Sequence, residues 1–150
     1  MSELAINAPA TASINTSAAA RYAVPVGRSL FALLFVISGI GHFSSQTIAY
    51  GAASGVPMAS FLIPASGALA IAGALSIALG YRARLGALAL IAFLVPVTFT
   101  MHKFWAAPDA MSHMMQQVQF LKNTALTGAA LLIAYFGSGP VSLDARRASR

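Results

Sequence analysis

Long apolar segments separated by short polar connections dominate the pattern of this chain. Four of them cover about Val26 to Phe43, Met58 to Gly80, Leu85 to Phe104 and Gln116 to Phe136. Each is close to the roughly 20 residues that a helix needs to cross a bilayer. The middle two are apolar on every face, as helices in lipid are, whereas the strands of a membrane barrel alternate apolar and polar residues. The pattern therefore predicts four transmembrane helices.

Short connections between the predicted helices make neighbours run in opposite directions. The predicted fold class is all-α, an integral membrane protein with an up-down-up-down four-helix bundle. Residues 1–25 are predicted to be a mobile N-terminal tail, residues 26–140 the membrane domain and residues 141–150 a basic C-terminal tail. Pro140 closes the last helix, because proline cannot continue one.

Composition supports the membrane prediction. Hydrophobic residues make up 58% of the 150 residues and charged residues only 8%, against about 25% charged residues in soluble domains. A soluble monomer is therefore not expected. The net charge of +6 comes from basic residues that flank apolar runs and form no aromatic-interleaved cluster, which argues against nucleic-acid binding. Cysteine is absent, which excludes disulfides and thiolate metal sites.

The distribution of basic residues predicts the orientation. Seven arginines are expected on one side of the membrane and the two lysines on the other. The arginines are Arg21, Arg28, Arg82, Arg84, Arg146, Arg147 and Arg150, and the lysines are Lys103 and Lys122. Short basic loops stay in the cytoplasm. Both termini and the turn between the second and third helices are therefore predicted to be cytoplasmic.

Small residues recur every four positions along the second predicted helix, at Ser66, Ala70, Ala74 and Ala78. Such a ridge lets another backbone approach closely. It predicts helix packing, either within the chain or at an oligomer face. Alanine is abundant in this chain, so the ridge could equally arise by chance.

A few polar side chains are predicted to lie at membrane depth in the outer half of the bundle. They are His42, His102, Trp105, Gln119, Lys122 and Asn123. A cationic residue within a span is costly and usually faces the bundle interior or a partner. The group is a candidate site for a polar headgroup such as a quinone. Interfacial snorkelling of these side chains is the structural alternative. No metal site is predicted, because the spans hold no carboxylate.

Several motifs, taken in order, resemble the DoxX family of small bacterial membrane proteins. They are Ser38–Phe43, Gly55–Pro57, Leu79–Arg84, His102–Trp105, Phe120–Asn123 and Gly139–Asp144. The last two are the most specific. The resemblance implies a four-helix inner-membrane protein. Some relatives are subunits of quinone-reducing thiosulfate oxidoreductases, and others associate with oxidative-stress enzymes. Two positions depart from the family pattern, with His42 where relatives often carry lysine and Ala70 near a frequent acidic residue.

Two functions follow from these observations. The first is a redox-associated subunit of the bacterial inner membrane that binds a quinone or similar headgroup, with the bilayer and a membrane or redox protein as partners. The alternative is a non-catalytic scaffold that docks through its small-residue helix faces, in a homo-oligomer or on another subunit. A stand-alone enzyme is not expected in either case, because the chain contains no recognisable catalytic motif.

Overall fold

The computed structural model describes residues 20–150, and helices account for all the regular structure in that range. The helices are α1 (Ala20–Gly41), α2 (Ser45–Ala53), α3 (Ala59–Leu79), α4 (Ala83–Met101), α5 (Ala110–Phe136) and α6 (Leu143–Ala148), with a 3-10 turn at Phe104–Ala106. The all-helical part of the prediction is confirmed. Most of the predicted N-terminal tail, residues 1–19, lies outside the described residues.

Three of the described helices are long and apolar enough to cross a membrane. They are α1, α3 and α4, the last together with the turn that follows it. The fourth predicted span corresponds to α5, whose first half carries polar side chains such as Gln116, Gln119 and Lys122. A multi-pass membrane protein is thus supported, and the four-span bundle stays a prediction.

Helix caps explain where the helices differ from the predicted boundaries. The connection predicted after Phe43 contains α2, which begins where the Ser44 hydroxyl accepts a hydrogen bond from the N–H of Thr47 at 3.2 Å. Helix α5 begins six residues before Gln116, because the Asp109 carboxylate caps it. Helix α6 occupies most of the predicted basic tail and is capped by Ser142. Each of these polar residues satisfies orphan N–H groups at a helix start.

The long helices pack in chain order, α1 on α3, α3 on α4 and α4 on α5. Two glycine pairs bring the backbones together. A Cβ at Gly67 would lie 2.7 Å from the carbonyl oxygen of Gly39, and one at Gly86 would lie 2.7 Å from that of Gly73. The hydrophobic core fills the space between these helices. Its buried residues are Ala32, Phe35, Ala70, Ala74, Ile77, Ala87, Leu90, Phe93 and Leu94.

The small-residue ridge of α3 lies inside this packing. Ala70 and Ala74 are fully buried, and Ser66 and Ala78 are half-buried. The ridge therefore packs against other helices of the same chain.

Helices α1 and α5 contact each other much less than the other neighbouring pairs do. A groove runs between them, and two cavities lie along it. One is near His42 and Lys122, and the other is near Arg28 and Phe136. The four long helices are thus packed together at the α1–α3, α3–α4 and α4–α5 interfaces, and a groove separates α1 from α5.

At the arginine-rich end, the chain after α5 folds back onto the other helices. Arg28, only 4% exposed, donates hydrogen bonds to the carbonyl oxygens of Ser138 and Val141. The Asp144 carboxylate accepts a hydrogen bond from the N–H of Arg82 at 2.9 Å. The C-terminal segment therefore ties α1 to the α3–α4 turn.

Candidate functional site

A cavity of about 240 Å³ lies between α1, α4 and α5, with α2 across one end. Its polar residues include His42, His102, Gln119, Lys122 and Asn123. Its apolar walls include Leu34, Phe35, Phe93, Leu94, Val97 and Leu126. The structure thus brings five of the six sequence-predicted ligand-binding residues to one cavity. Three come from α5, and His42 and His102 come from the positions directly after α1 and α4.

The sixth predicted residue, Trp105, does not line this cavity. It lies in the 3-10 turn after α4, is 55% exposed and packs edge-to-face on Phe104 with the ring centroids 5.1 Å apart. The third helix was predicted to end at about Phe104, but α4 ends at Met101, so Trp105 lies within a 3-10 turn and not directly after the helix. Its indole lies against Phe120 of α5, at 6.0 Å between centroids, so it packs the turn against that helix.

The hydrogen bonds of Ser66 define the state of the His42 ring. The Ser66 hydroxyl donates to the carbonyl oxygen of Ile63 at 2.7 Å. The Ser66 hydroxyl oxygen therefore accepts a hydrogen bond from Nδ1 of His42, at 3.0 Å. A neutral imidazole protonated at Nδ1 carries its lone pair on Nε2. His42 is thus held by α3 through one nitrogen and keeps the other for a ligand.

His102 is oriented by a chain of hydrogen bonds that reaches α2. The Gln116 amide donates to the Tyr50 hydroxyl at 2.9 Å, which leaves its oxygen to accept from Nδ1 of His102, also at 2.9 Å. Tyr50 in turn donates to the carbonyl oxygen of Met101 at 3.4 Å. Nδ1 of His102 is therefore a hydrogen-bond donor, as in His42, and its Nε2 makes no hydrogen bond to another residue that the structure describes.

Lys122 brings a positive charge that no described carboxylate offsets. Of the two acidic residues in the described range, Asp144 caps α4 at the opposite end. Asp109 lies 13 residues before Lys122 on the same helix, a distance of about 20 Å by helical rise. Within residues 20–150 the ammonium has no hydrogen-bond partner. The cavity is therefore cationic at its polar end and favours an electron-rich ligand atom.

Asn123 is the most buried polar side chain of the cavity, at 6% exposure. Its backbone carbonyl accepts a hydrogen bond from the Thr127 hydroxyl at 2.8 Å. Its side-chain amide makes no hydrogen bond to any other residue that the structure describes. Its nitrogen and oxygen are not among the fully buried, unpaired polar atoms of the described residues, so both are accessible for hydrogen bonds to a ligand in the cavity.

Sequence reasoning missed the contribution of α2. Thr47 and Tyr50 both line the cavity, and Tyr50 fixes the His102–Gln116 pair. The segment was predicted to be a polar connection. The available signal was Ser44 itself, because serine is a preferred N-cap residue at a helix start.

The donor set fits an organic ligand better than a metal ion. Within the described residues, no three histidine or acidic side chains gather as metal ligands. The cavity offers cationic and amide donors at one end and aromatic or aliphatic walls elsewhere. Its volume lies below the 300 Å³ or so of the smallest drug-sized pockets. These properties suit a single flat ring with polar oxygens.

Comparison with known families identifies a family for this chain. A family model described as DoxX matches residues 23–103, which is more than half of the chain. The match confirms the resemblance found in the sequence. It contains His42 and His102 and ends before α5, which carries Gln119, Lys122 and Asn123. No curated protein and no solved structure matches the chain.

Proposed function

The chain belongs to the DoxX family of membrane proteins, and we propose that it is a redox-associated inner-membrane subunit that binds a quinone headgroup in the cavity between α1, α4 and α5. The observation that carries this proposal is the meeting of Lys122, Asn123 and two histidines at the polar end of an apolar cavity. In this proposal α5 is the fourth span, and the cavity lies in the outer half of the membrane.

The chemistry of a quinone matches these groups in both redox states. The oxidised ring presents two carbonyl oxygens, which accept hydrogen bonds from the Lys122 ammonium and the Asn123 amide. The reduced ring presents hydroxyl groups, which donate to the free Nε2 atoms of His42 and His102. Phe35 and Phe93, which line the cavity, supply apolar contact for the ring in either state.

The open groove between α1 and α5 supplies the route of entry. A quinone dissolves in the membrane, so its headgroup enters sideways between two helices and its isoprenoid tail remains in lipid. Leu34 of α1 and Leu126 of α5 both line the cavity, and they form an apolar entrance. In this proposal, the two electrons exchanged between quinone and quinol pass to or from a partner redox protein.

The test is binding of ubiquinone-1 to the purified full-length protein in detergent. Binding is measured as the quenching of the fluorescence of Trp105, the single tryptophan. Lys122→Met should weaken binding by about tenfold to a hundredfold, the size of a lost hydrogen bond to a charged group. Lys103→Met is the matched control. Lys103 is exposed, as Lys122 is, but it does not line the cavity, so its removal should leave the affinity unchanged.

Equal affinity of Lys122→Met and the wild type would contradict the site. A folded wild-type protein that binds no ubiquinone-1 would leave the scaffold as the remaining function. A scaffold would then dock through a surface other than the α3 ridge, since Ala70 and Ala74 are buried within the chain.

A further inference from the structure

A second basic cavity lies at the opposite end of the molecule. It has a volume of about 510 Å³ and lies between the α3–α4 turn, the end of α5 and α6. Arg82 and Arg84 line it, together with Leu85 and Phe136. Because α3 and α4 are both able to span the membrane, the turn that joins them lies at the membrane boundary.

No carboxylate side chain among the described residues pairs with the guanidinium groups of these two arginines. Asp144 also lines the cavity, but its carboxylate oxygens accept from the backbone N–H groups of Arg82 at 2.9 Å and Ala83 at 3.4 Å. Among the described residues, neither guanidinium of this pair forms an ion pair with a carboxylate. Two arginines and one aspartate leave the cavity with a net positive charge. Arg82 lies over the Tyr81 ring, 5.6 Å from its centroid, and Arg147 lies over the same ring at 4.4 Å.

The position of Arg84 is set by a glycine. A Cβ at Gly137 would lie 3.3 Å from Nε of Arg84, so the guanidinium packs closely over the backbone where α5 ends. Gly137 itself has φ +81, a conformation that other residues rarely adopt. The Arg84 side chain therefore packs against this part of the backbone, beside the cavity that it lines.

An apolar cavity adjoins the basic one. It lies in the groove between α1 and α5 and is lined mainly by Val24, Phe31, Leu132 and Ile133. The two cavities share Phe136 and Gly137, and the Phe136 ring is 72% exposed. A charged cavity at the membrane boundary thus continues into an apolar groove at membrane depth.

We propose that these joined cavities bind one anionic phospholipid. Its phosphate lies between Arg82 and Arg84, since guanidinium groups form paired hydrogen bonds with phosphate oxygens. One acyl chain follows the apolar groove between α1 and α5. A soluble phosphate would use the arginines alone, whereas a phospholipid uses both cavities. This site is separate from the quinone cavity and does not depend on it.

The test is thermal unfolding of the full-length protein in neutral detergent with added phosphatidylglycerol, phosphatidylcholine or glycerol 3-phosphate. Phosphatidylglycerol should raise the melting temperature of the wild type by about 3–6 °C, as ligands of the folded state do. The other two additives should give no comparable shift. Arg84→Gln should lose at least half of the phosphatidylglycerol shift. Arg146→Gln removes the same charge from α6 outside the cavity lining, and it should keep the shift.

Equal losses in Arg84→Gln and Arg146→Gln would overturn the site in favour of diffuse attraction between charges. A full shift with glycerol 3-phosphate would overturn the lipid and indicate a soluble anion. If Arg84→Gln does not fold, Arg82→Gln takes its place, because its side chain lies away from the Gly137 contact. An undiminished shift in a folded Arg82→Gln variant would likewise contradict the proposal.

Discussion

Single glycines set the distance between helices in this molecule. Gly67 of α3 lies against Gly39 of α1, and the carbonyl oxygen of each lies 2.7–2.9 Å from the position that the other's Cβ would take. The same arrangement recurs at Gly73 and Gly86, between α3 and α4. Small residues allow such close approach of helices in membranes, where van der Waals packing replaces the hydrophobic effect between spans.

We expect Gly67→Ala to destabilise the protein by about 1–3 kcal/mol, the usual cost of overpacking. The added Cβ would lie 2.6 Å from Cβ of His42 and would push α1 away from α3. Gly128→Ala in α5 is the control, because nothing lies within 4 Å of its Cβ position and alanine favours the helix. Unfolding in a titration with denaturing detergent measures both. Equal stabilities of the two variants would contradict the close approach.

Much of the candidate site could be predicted from single residues. His42, His102 and Lys122 stand out because polar side chains at membrane depth are rare, and alternating helix direction places them at one level. Trp105 could not be placed, since nothing in its neighbours indicates that the helix stops at Met101 and a 3-10 turn follows. Tyr50 was missed because a nine-residue helix without an apolar face resembles a loop.

At the scale of elements, α6 stabilises the α3–α4 turn through hydrogen bonds of Asp144. Arg82 has φ 49, a left-handed conformation that is unfavourable for a residue with a side chain. The Asp144 carboxylate accepts from the N–H of this residue, and the N–H of Asp144 donates to the carbonyl oxygen of Gly80 at 2.9 Å. A distant segment thus holds a strained turn that local sequence does not explain.

We expect Asp144→Ala to destabilise the protein by about 1 kcal/mol at pH 7, the typical cost of losing a helix cap. The hydrogen bond from the N–H of Arg82 lowers the pKa of Asp144. The charged cap therefore stabilises the fold above the pKa of the unfolded chain, about 3.9. This stabilisation disappears as the pH falls through the lower, folded value. Detergent unfolding at pH 7 and at pH 3 measures the difference from the wild type.

The difference in stability between Asp144→Ala and the wild type should shrink at pH 3. Ser149→Ala, near the end of α6 and exposed, is the control and should match the wild type at both values. A difference that stays constant with pH would show that the carboxylate charge is not involved in the cap.

The long elements were easier to predict than the short ones. α3 and α4 lie within three residues of their predicted bounds, because their apolar runs end at the glycine-containing turn around Tyr81 and at His102. Helix α6 was predicted as tail, since its six residues bury nothing. Helix α6 is stabilised by its contact with the turn beside Arg82. Contacts of this kind, between residues about 60 positions apart, leave no local pattern in the sequence.

At the scale of the whole molecule, the contacts of the C-terminal segment indicate the path of α5. Val141 accepts a hydrogen bond from Arg28, near the start of α1, and Asp144 contacts the α3–α4 turn. Those two regions lie at one end of the row of helices. The 27 residues of α5 have a length of about 40 Å, enough to cross the 30 Å or so of hydrocarbon. These contacts and this length favour the predicted fourth span, in which α5 crosses the membrane before the chain reaches α6.

We expect reporter fusions after Arg84 and after Arg150 to lie on the same side of the membrane, in the cytoplasm. Four spans and the seven arginines of that side predict this result. A fusion after Pro108, between α4 and α5, should lie on the other side. Green fluorescent protein, which fluoresces only in the cytoplasm, and alkaline phosphatase, which is active only outside it, measure the two outcomes. Phosphatase activity after Arg150 together with fluorescence after Arg84 would mean that α5 does not cross. The cavity with Lys122 would then lie beside the membrane surface.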